Sequence, residues 1–208
     1  MELFLTYRDF CAQIFADNRK MSGKEFVIRT ATPDDAGAIA AIYEPYVRET
    51  AITFETCPPD AREFARRIAE TSKRFPYFVC QSDGGICGYA YSHEYHERAA
   101  YRFDAELSVY VRSDKKGLGI GRALYTKLID TLARQGFVNL YACIAVPNEP
   151  SVGFHSSFGF VRIGLFEKTG YKFGRWHDCV WMAKRISDTD APHEIIPFPE
   201  LCRENGVK

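Results

Sequence analysis

The sequence predicts an α+β domain, a central mixed and mostly antiparallel sheet flanked by helices. Three observations predict it. Residues 106–135 read as strand, glycine-rich turn and helix, and the continuously apolar residues 140–146 follow, which makes one βαβ unit. Two alternating segments joined by Ser82-Asp83-Gly84-Gly85 give a hairpin signal. Helical patterns lie between the first strand and that hairpin, so strands and helices do not simply alternate along the chain. No internal repeat and no low-complexity segment is present, and 208 residues suit one domain with short extensions.

Taken in order, residues 2–18 place Leu3, Tyr7, Phe10, Cys11, Ile14 and Phe15 on one helical face, so residues 1–24 are expected to be a helical extension packed on its own domain. Residues 26–29 look like a first strand. Thr32 then suits a helix N-cap, with Pro33 at the first helical position and Asp35 three residues on. Ala36, Ile39, Ala40, Tyr43 and Val47 supply the buried stripe, and Pro45 predicts a break or kink. Residues 51–55 are short, apolar and β-prone, and Cys57-Pro58-Pro59-Asp60 leads into a second helix bearing Phe64, Ile68 and Thr71. Residues 77–81 and 86–92 are the hairpin strands, and Gly88 marks a bulge or a close approach.

Beyond the hairpin, Leu107, Val109 and Val111 alternate with Glu106, Ser108 and Tyr110. Ile120, Leu124, Leu128 and Leu132 then recur every fourth residue, and the helix is expected to end near Gln135 and Gly136. Residues 140–146 read as a central strand covered on both faces. Pro147-Asn148-Glu149-Pro150 ends it, and a short helix spans residues 151–157. Strands at 160–166 and 179–184 flank a loop carrying Gly170, Lys172, Gly174, Trp176 and Asp178. The tail, residues 187–208, is expected to be extended and superficial. Residues 25–186 form the domain proper.

Composition excludes several function classes. Lysine plus arginine equal aspartate plus glutamate at 27 each, so the net charge of zero offers no electrostatic case for a nucleic-acid or membrane-surface partner. Seven cysteines, an odd number without a C-x-x-C pair, read as buried free thiols of a reducing cytosol. The chain begins without a secretory pattern and holds no run of membrane-spanning length, so a cytoplasmic protein is expected.

Chemistry concentrates around the glycine-spaced turn. Glycines ahead of a helix let backbone N–H groups crowd an anion, and the helix N-terminus adds partial positive charge, so a phosphate-bearing ligand is expected at residues 116–122. Glu106 opens an apolar strand. From the residues alone it is equally well a general base or an exposed carboxylate. His155, on a short helix, reads by itself as a structural histidine. His93 and His96 lack further ligand spacing and make a poor zinc signature, so no metal is expected. No cysteine has a matched base, which disfavours a covalent acyl-enzyme.

The match that matters runs through the chain: Lys116 to Gly121 as charged residue, two residues, Gly, one residue, Gly; Ala100-Tyr101-Arg102 ahead of Glu106; Ser108-Val109-Tyr110-Val111; Pro147-Asn148-Glu149-Pro150-Ser151; His155; Gly159-Phe160; and Lys172-Phe173-Gly174-Arg175-Trp176-His177-Asp178. In this order these residues resemble the GNAT superfamily of acyl-CoA-dependent N-acetyltransferases, in its phosphinothricin and methionine sulfoximine N-acetyltransferase branch. The resemblance covers about residues 26 to 185 and departs from it at Lys116, where Gln or Arg is usual, and at Phe103-Asp104, where Trp-Thr is common.

The resemblance implies the GNAT fold, acetyl-CoA as cosubstrate and a small amino-acid-like amine with an anionic group as acceptor. It further implies that Lys116, Gly117, Leu118, Gly119, Ile120, Gly121 and Arg122 hold the pyrophosphate, and that Val109, Tyr110 and Val111 track the pantetheine arm. Asn148 contacts that arm or caps the next helix, and Ser157 is a further cofactor contact. Glu106 is implied as general base and His155 as general acid. Phe54, Arg98, Tyr101, Arg102 and Lys172 are implied for the acceptor, with the choice between Arg98 and Arg102 as clamp left open. A homodimer is implied, with the tail and residues 171–176 as interface or pocket elements. A protein or peptide acceptor, or an acyl-CoA sensor without turnover, are the competing classes.

Overall fold

The computed structural model describes residues 17–21, 24–82 and 84–204. Eight strands form one sheet: β1 (Asp17–Met21), β2 (Lys24–Thr30), β3 (Tyr77–Ser82), β4 (Gly85–Glu94), β5 (Asp104–Val111), β6 (Asn139–Val146), β7 (Val161–Lys172) and β8 (Arg175–Arg185). Their spatial order is β1-β2-β3-β4-β5-β6-β8-β7, and every neighbouring pair is antiparallel except β5 with β6. The α+β expectation holds. The N-terminal helix expected for residues 2–18 lies outside the described residues except at its end, where Asp17 and Asn18 belong to strand β1.

Helices cover the sheet on both sides. On one face α1 (Ala36–Glu49) and α2 (Ala61–Thr71) bury Ile39, Tyr43, Phe64 and Ile68 against Tyr77, Val79 and Tyr89. On the other, α3 (Ile120–Gln135) buries Leu124, Leu128 and Leu132 against Phe78, Leu107, Leu140 and Ile144. Ahead of α1, a single 3-10 turn at Pro33–Asp35 begins with the capping box read from Thr32 and Asp35. Asp35 also takes a two-pronged ion pair from Arg29 at 2.7 Å.

Four expectations are corrected. Helix α1 runs through Pro45 without a break. Pro45 and Ala41, whose carbonyl loses its partner, both lie on the exposed side, where solvent reaches that carbonyl while the buried stripe keeps its seat on the sheet. Residues 51–55 form no strand, because side chains from elsewhere pin them: Lys172 Nζ donates to the Thr53 carbonyl at 2.7 Å, and Arg67 pairs with Glu55 at 2.8 Å. The expected loop around Lys172 is a long β7–β8 hairpin, closed by Phe173 and Gly174 with φ of 51° and 74°, the left-handed pair that a two-residue hairpin turn requires. The tail ends in a helix, α5 (Phe198–Glu204), that buries Phe198, Leu201 and Cys202 in the main core. Its approach is fixed by Gln135 Nε2, which donates to the carbonyls of Arg74 and Ile196 at 2.8 Å.

The site follows from one break in the sheet. Strands β5 and β6 pair over three positions only, Asp104 with Asn139, Ala105 with Leu140 and Glu106 with Tyr141. Beyond Glu106 they diverge. The facing edges of residues 107–111 and 142–146 are left open to a cleft.

Candidate active site

The turn after β5 carries the first half of the site. Gly117 and Gly119 both have φ of 78°, a conformation that costs a side-chain-bearing residue energy, and Gly119 is the N-cap of α3. No side chain caps that helix, so its first N–H groups keep their hydrogen-bonding capacity for something else. They face a cavity of about 500 Å³ lined by Lys115, Lys116, Gly117, Gly121 and Arg122. Uncapped N–H groups, the helix dipole and three cations suit a pyrophosphate. Ile120 lines the cavity with its side chain buried in the core, whereas Leu118 packs half-buried against that core and does not line the cavity. Arg122 donates to Ser157 Oγ at 2.9 Å and lies over the Phe158 ring, which places Ser157 at the rim.

From there the cavity follows β5. Val109, Tyr110 and Val111 line it, but the Tyr110 ring is packed between Tyr43, Tyr46 and Tyr89, so its backbone alone is available. Tyr46, which sequence reasoning missed, donates its hydroxyl to the Val111 carbonyl at 2.6 Å and lies under the Lys116 ammonium. Asn148 caps α4 (Glu149–Ser156), its side chain accepting from the Ser151 N–H at 3.3 Å, and still lines the cleft. Val109, Tyr110, Asn148 and Ser151 continue into a smaller cavity of about 70 Å³, bounded also by Ser108, Cys143 and His155.

Glu106 stands at the last β5–β6 pair, where the opening begins. Half-buried, its carboxyl has no hydrogen-bond partner among the described residues. Burial raises its pKa above the ordinary carboxylate value, and the neighbouring His93 and His96 offset part of that rise. These histidines, set aside as metal ligands, therefore sit in the surroundings of Glu106. Among the described residues no group of three or more His, Cys, Asp or Glu is placed to hold a metal ion.

His155 is 5% exposed. Its Nδ1 is 2.8 Å from the Ser151 carbonyl, which can only accept, so Nδ1 carries a proton. Burial lowers its pKa, with the Ser151 carbonyl opposing. Near neutral pH the ring is uncharged and Nε2 holds a lone pair. The general acid expected from the resemblance must therefore first take up a proton. The pKa of the Cys143 thiol is pushed upward by its hydrogen bond with the Cys179 thiol and by burial, which makes it a poor nucleophile.

The acceptor residues divide. Arg98 and Tyr101 line a cavity of about 520 Å³ with Tyr95 and His96. Arg102 does not line it; its guanidinium lies over the Phe103 ring and 3.6 Å from Glu194. Phe54 and Lys172 line none of these cavities. The Phe54 ring lies on the hairpin backbone at Gly170, where an added Cβ would come within 2.3 Å of it, and the Lys172 ammonium is buried against the Thr53 carbonyl. Both clasp the 51–56 segment to the hairpin.

A cleft between diverging strands, with an anion cradle at one end and a poised carboxylate at the other, is the architecture of an enzyme that moves an acyl group from a CoA thioester. Comparison with known proteins agrees: residues 28–181 match the acetyltransferase (GNAT) domain family. A phosphinothricin N-acetyltransferase of Alcaligenes faecalis is 40% identical over 79% of this chain and 86% of its own length. An L-methionine sulfoximine/L-methionine sulfone acetyltransferase of Salmonella typhimurium is 32% identical over 79% and 97%. The crystal structure of a GNAT superfamily phosphinothricin acetyltransferase from Sinorhizobium meliloti in complex with acetyl-CoA superposes with a TM-score of 0.78 at 32% identity, covering 83% of this chain and 96% of that one. The chain belongs to the GNAT family. It is an N-acetyltransferase with acetyl-CoA as cosubstrate.

Proposed function

We propose that the enzyme acetylates the primary amine of a small amino-acid-like acceptor of the phosphinothricin or methionine sulfoximine type, with Glu106 as general base. The position of Glu106 carries the reading. A carboxylate made more basic by burial stands where the sheet opens, with His93 and His96 as its ionisable neighbours; His96 lines the cavity that holds Arg98, and the next residue, Leu107, lines the 70 Å³ cavity. Bound acetyl-CoA supplies a thioester carbonyl activated for attack by an amine. Lys116, Arg122 and the uncapped N–H groups of α3 would hold its pyrophosphate, and the open edge of β5 its pantetheine arm.

An acceptor amine arrives as ammonium. Glu106 removes its proton, directly or through one water, and Arg98 holds the acceptor's anionic group. His155, neutral with its Nε2 lone pair free, takes up a proton and returns it to the departing sulfur. The raised Cys143 thiol supports direct transfer over a covalent acyl-enzyme.

The β7 edge supports a homodimer. Val161, Ile163, Leu165 and Phe166 are exposed there, and Tyr171, Phe173 and Trp176 at the hairpin tip. An unpaired, apolar edge of this length is a pairing surface. Unbonded cysteines, Cys143 beside Cys179 among them, fit a reducing cytoplasm. No helix among the described residues is long and apolar enough to cross a membrane.

The test is to mix acetyl-CoA with a panel of amino-acid analogues, phosphinothricin and methionine sulfoximine included, and to follow thiol release and the N-acetyl product by mass. Release with at least one of these acceptors is expected. Absence of release with every small amine, alongside acetylation of peptides, overturns the reading.

A further inference from the structure

Acetyl transfer to an ammonium leaves one proton over. The acceptor arrives with three protons on nitrogen, the amide keeps one and the departing thiol takes one, so one must reach solvent before Glu106 can act again. Glu106 is half-buried, and its carboxyl has no hydrogen-bond partner among the described residues. The carboxyl therefore needs an exit for its proton. Arg98 has no atom to accept it, and His155 serves the departing sulfur.

Most ionisable groups around Glu106 cannot receive that proton. Burial foremost, with the Glu106 charge adding to it, raises the phenols of Tyr91, Tyr95 and Tyr125, so each keeps its own proton near neutral pH. The Cys143 thiol is held protonated by its hydrogen bond with the Cys179 thiol, by burial and by the same charge. Asp104, two residues back along β5, already accepts from Asn139 Nδ2 at 2.9 Å. Arg67 of α2, which shares a cavity wall with His93, is bonded to Glu55 and Glu63 at 2.8 Å and has no acceptor atom. His93 and His96 remain beside the carboxylate, and imidazole is the side chain that takes up and releases protons between pH 5 and 8.

Geometry separates these two. His93 stands directly across from Glu106 in the antiparallel β4–β5 register, and side chains so placed share a sheet face with Cβ atoms about 5 Å apart. Its Nδ1 is 3.0 Å from the Glu94 carbonyl, which can only accept, so in the neutral ring Nδ1 carries the proton and Nε2 the lone pair. The residue is half-buried, so a proton taken up there still meets water. His96 lies beyond the end of β4, exposed, its ring 4.1 and 4.9 Å from those of Tyr95 and Tyr101, in the wall of the cavity that holds Arg98. An acceptor whose anionic group is at Arg98 occupies that side and leaves His93 as the way out.

We propose that His93 is the proton exit of Glu106: the O–H bond of the protonated carboxyl breaks, a bond to His93 Nε2 forms directly or through one water, and the imidazolium releases the proton to solvent. His93 acts through Glu106 and does not touch the acceptor. The inference rests on the reading of Glu106 as base and adds the step that resets it between turnovers.

Thiol release tests it, with acetyl-CoA and the acceptor analogue that wild type turns over fastest, in His93→Gln, His93→Asn, His96→Gln and Glu106→Gln. Both His93 variants keep a hydrogen-bonding side chain but lose the proton-accepting nitrogen, and retained acetyl-CoA affinity shows that either one is folded. In dilute buffer they are expected to give a burst of one thiol per site at the wild-type rate, then a steady state about tenfold slower. Added imidazole should restore that steady state in proportion to its concentration, after subtraction of the rate without enzyme, and leave wild type unchanged. His96→Gln is expected to stay within about twofold of wild type. Wild-type turnover in the His93 variants, or a loss that imidazole does not restore, overturns the exit; burst and rescue in His96→Gln instead overturn the assignment of His93. Glu106→Gln separates the two readings. Unchanged turnover there removes the base and its exit together, whereas a collapse there, with His93 variants like wild type, removes the exit alone.

Discussion

At the scale of single residues, Glu106 joins two conditions that a base for an ammonium acceptor must meet: a site at the mouth of the cleft and a carboxyl that burial makes more basic. Its sign gives a pH dependence. A raised pKa leaves the base protonated and idle at mildly acidic pH, so kcat/KM is expected to rise with pH through a value above the ordinary carboxylate range. A pH–rate profile with no acid limb, or with one near the unperturbed value of about 4.3, contradicts this. The two candidate clamps also separate. Arg98→Ala is expected to raise the acceptor KM about tenfold or more, whereas Arg102→Ala, already held by Phe103 and Glu194, should change it less than threefold; steady-state kinetics of both variants read the difference. The strand, turn and helix that carry Glu106 and residues 116–122 were legible in the sequence because they are contiguous, whereas the role of Glu106 was not, since the residues alone suit a base and an exposed carboxylate equally. Lys172 was not, since its partner is the Thr53 carbonyl 119 residues away, and a lysine read alone looks like a free charge.

At the scale of elements, the β4–β5 pair forms the cleft wall that we propose acetyl-CoA follows. Gly88 makes it possible: a Cβ there would stand 2.8 Å from the Tyr110 carbonyl and 3.3 Å from Ile120. Gly88→Ala is therefore expected to push β5 toward the cleft, costing about 1–3 kcal/mol of stability and raising the KM for acetyl-CoA. Thermal unfolding and acetyl-CoA titration check both, and an unchanged Tm and KM would contradict the packing argument. The sequence announced this glycine as a bulge or a close approach, and both occur, since the β3–β4 register shifts next to it at Cys80 and Gln81. Helix α5 was hidden for the opposite reason. Its three buried side chains are a short apolar set among prolines, and only docking on α3 and the α2–β3 turn gives them a core. The β-prone residues 51–55 show tertiary contacts overriding local propensity.

At the scale of the whole molecule, the sheet has two unlike halves. Strands β2 to β5 are covered on both faces, while β7 ends the sheet with exposed apolar side chains. Phe166→Glu is expected to shift the solution mass from dimer to monomer in sedimentation experiments. A wild-type chain that sediments as a monomer removes the dimer. Which strand would be left at an edge could not be read from the chain, because strand order depends on pairings that local periodicity does not encode. Between the halves lies the divergence after Glu106, where the fold and the chemistry meet. The most direct measurement is the Glu106→Gln variant assayed both ways: its Kd for acetyl-CoA is expected to stay within about twofold of wild type while kcat falls by about 10²–10⁴. Turnover equal to wild type would contradict the assignment of Glu106 as the base.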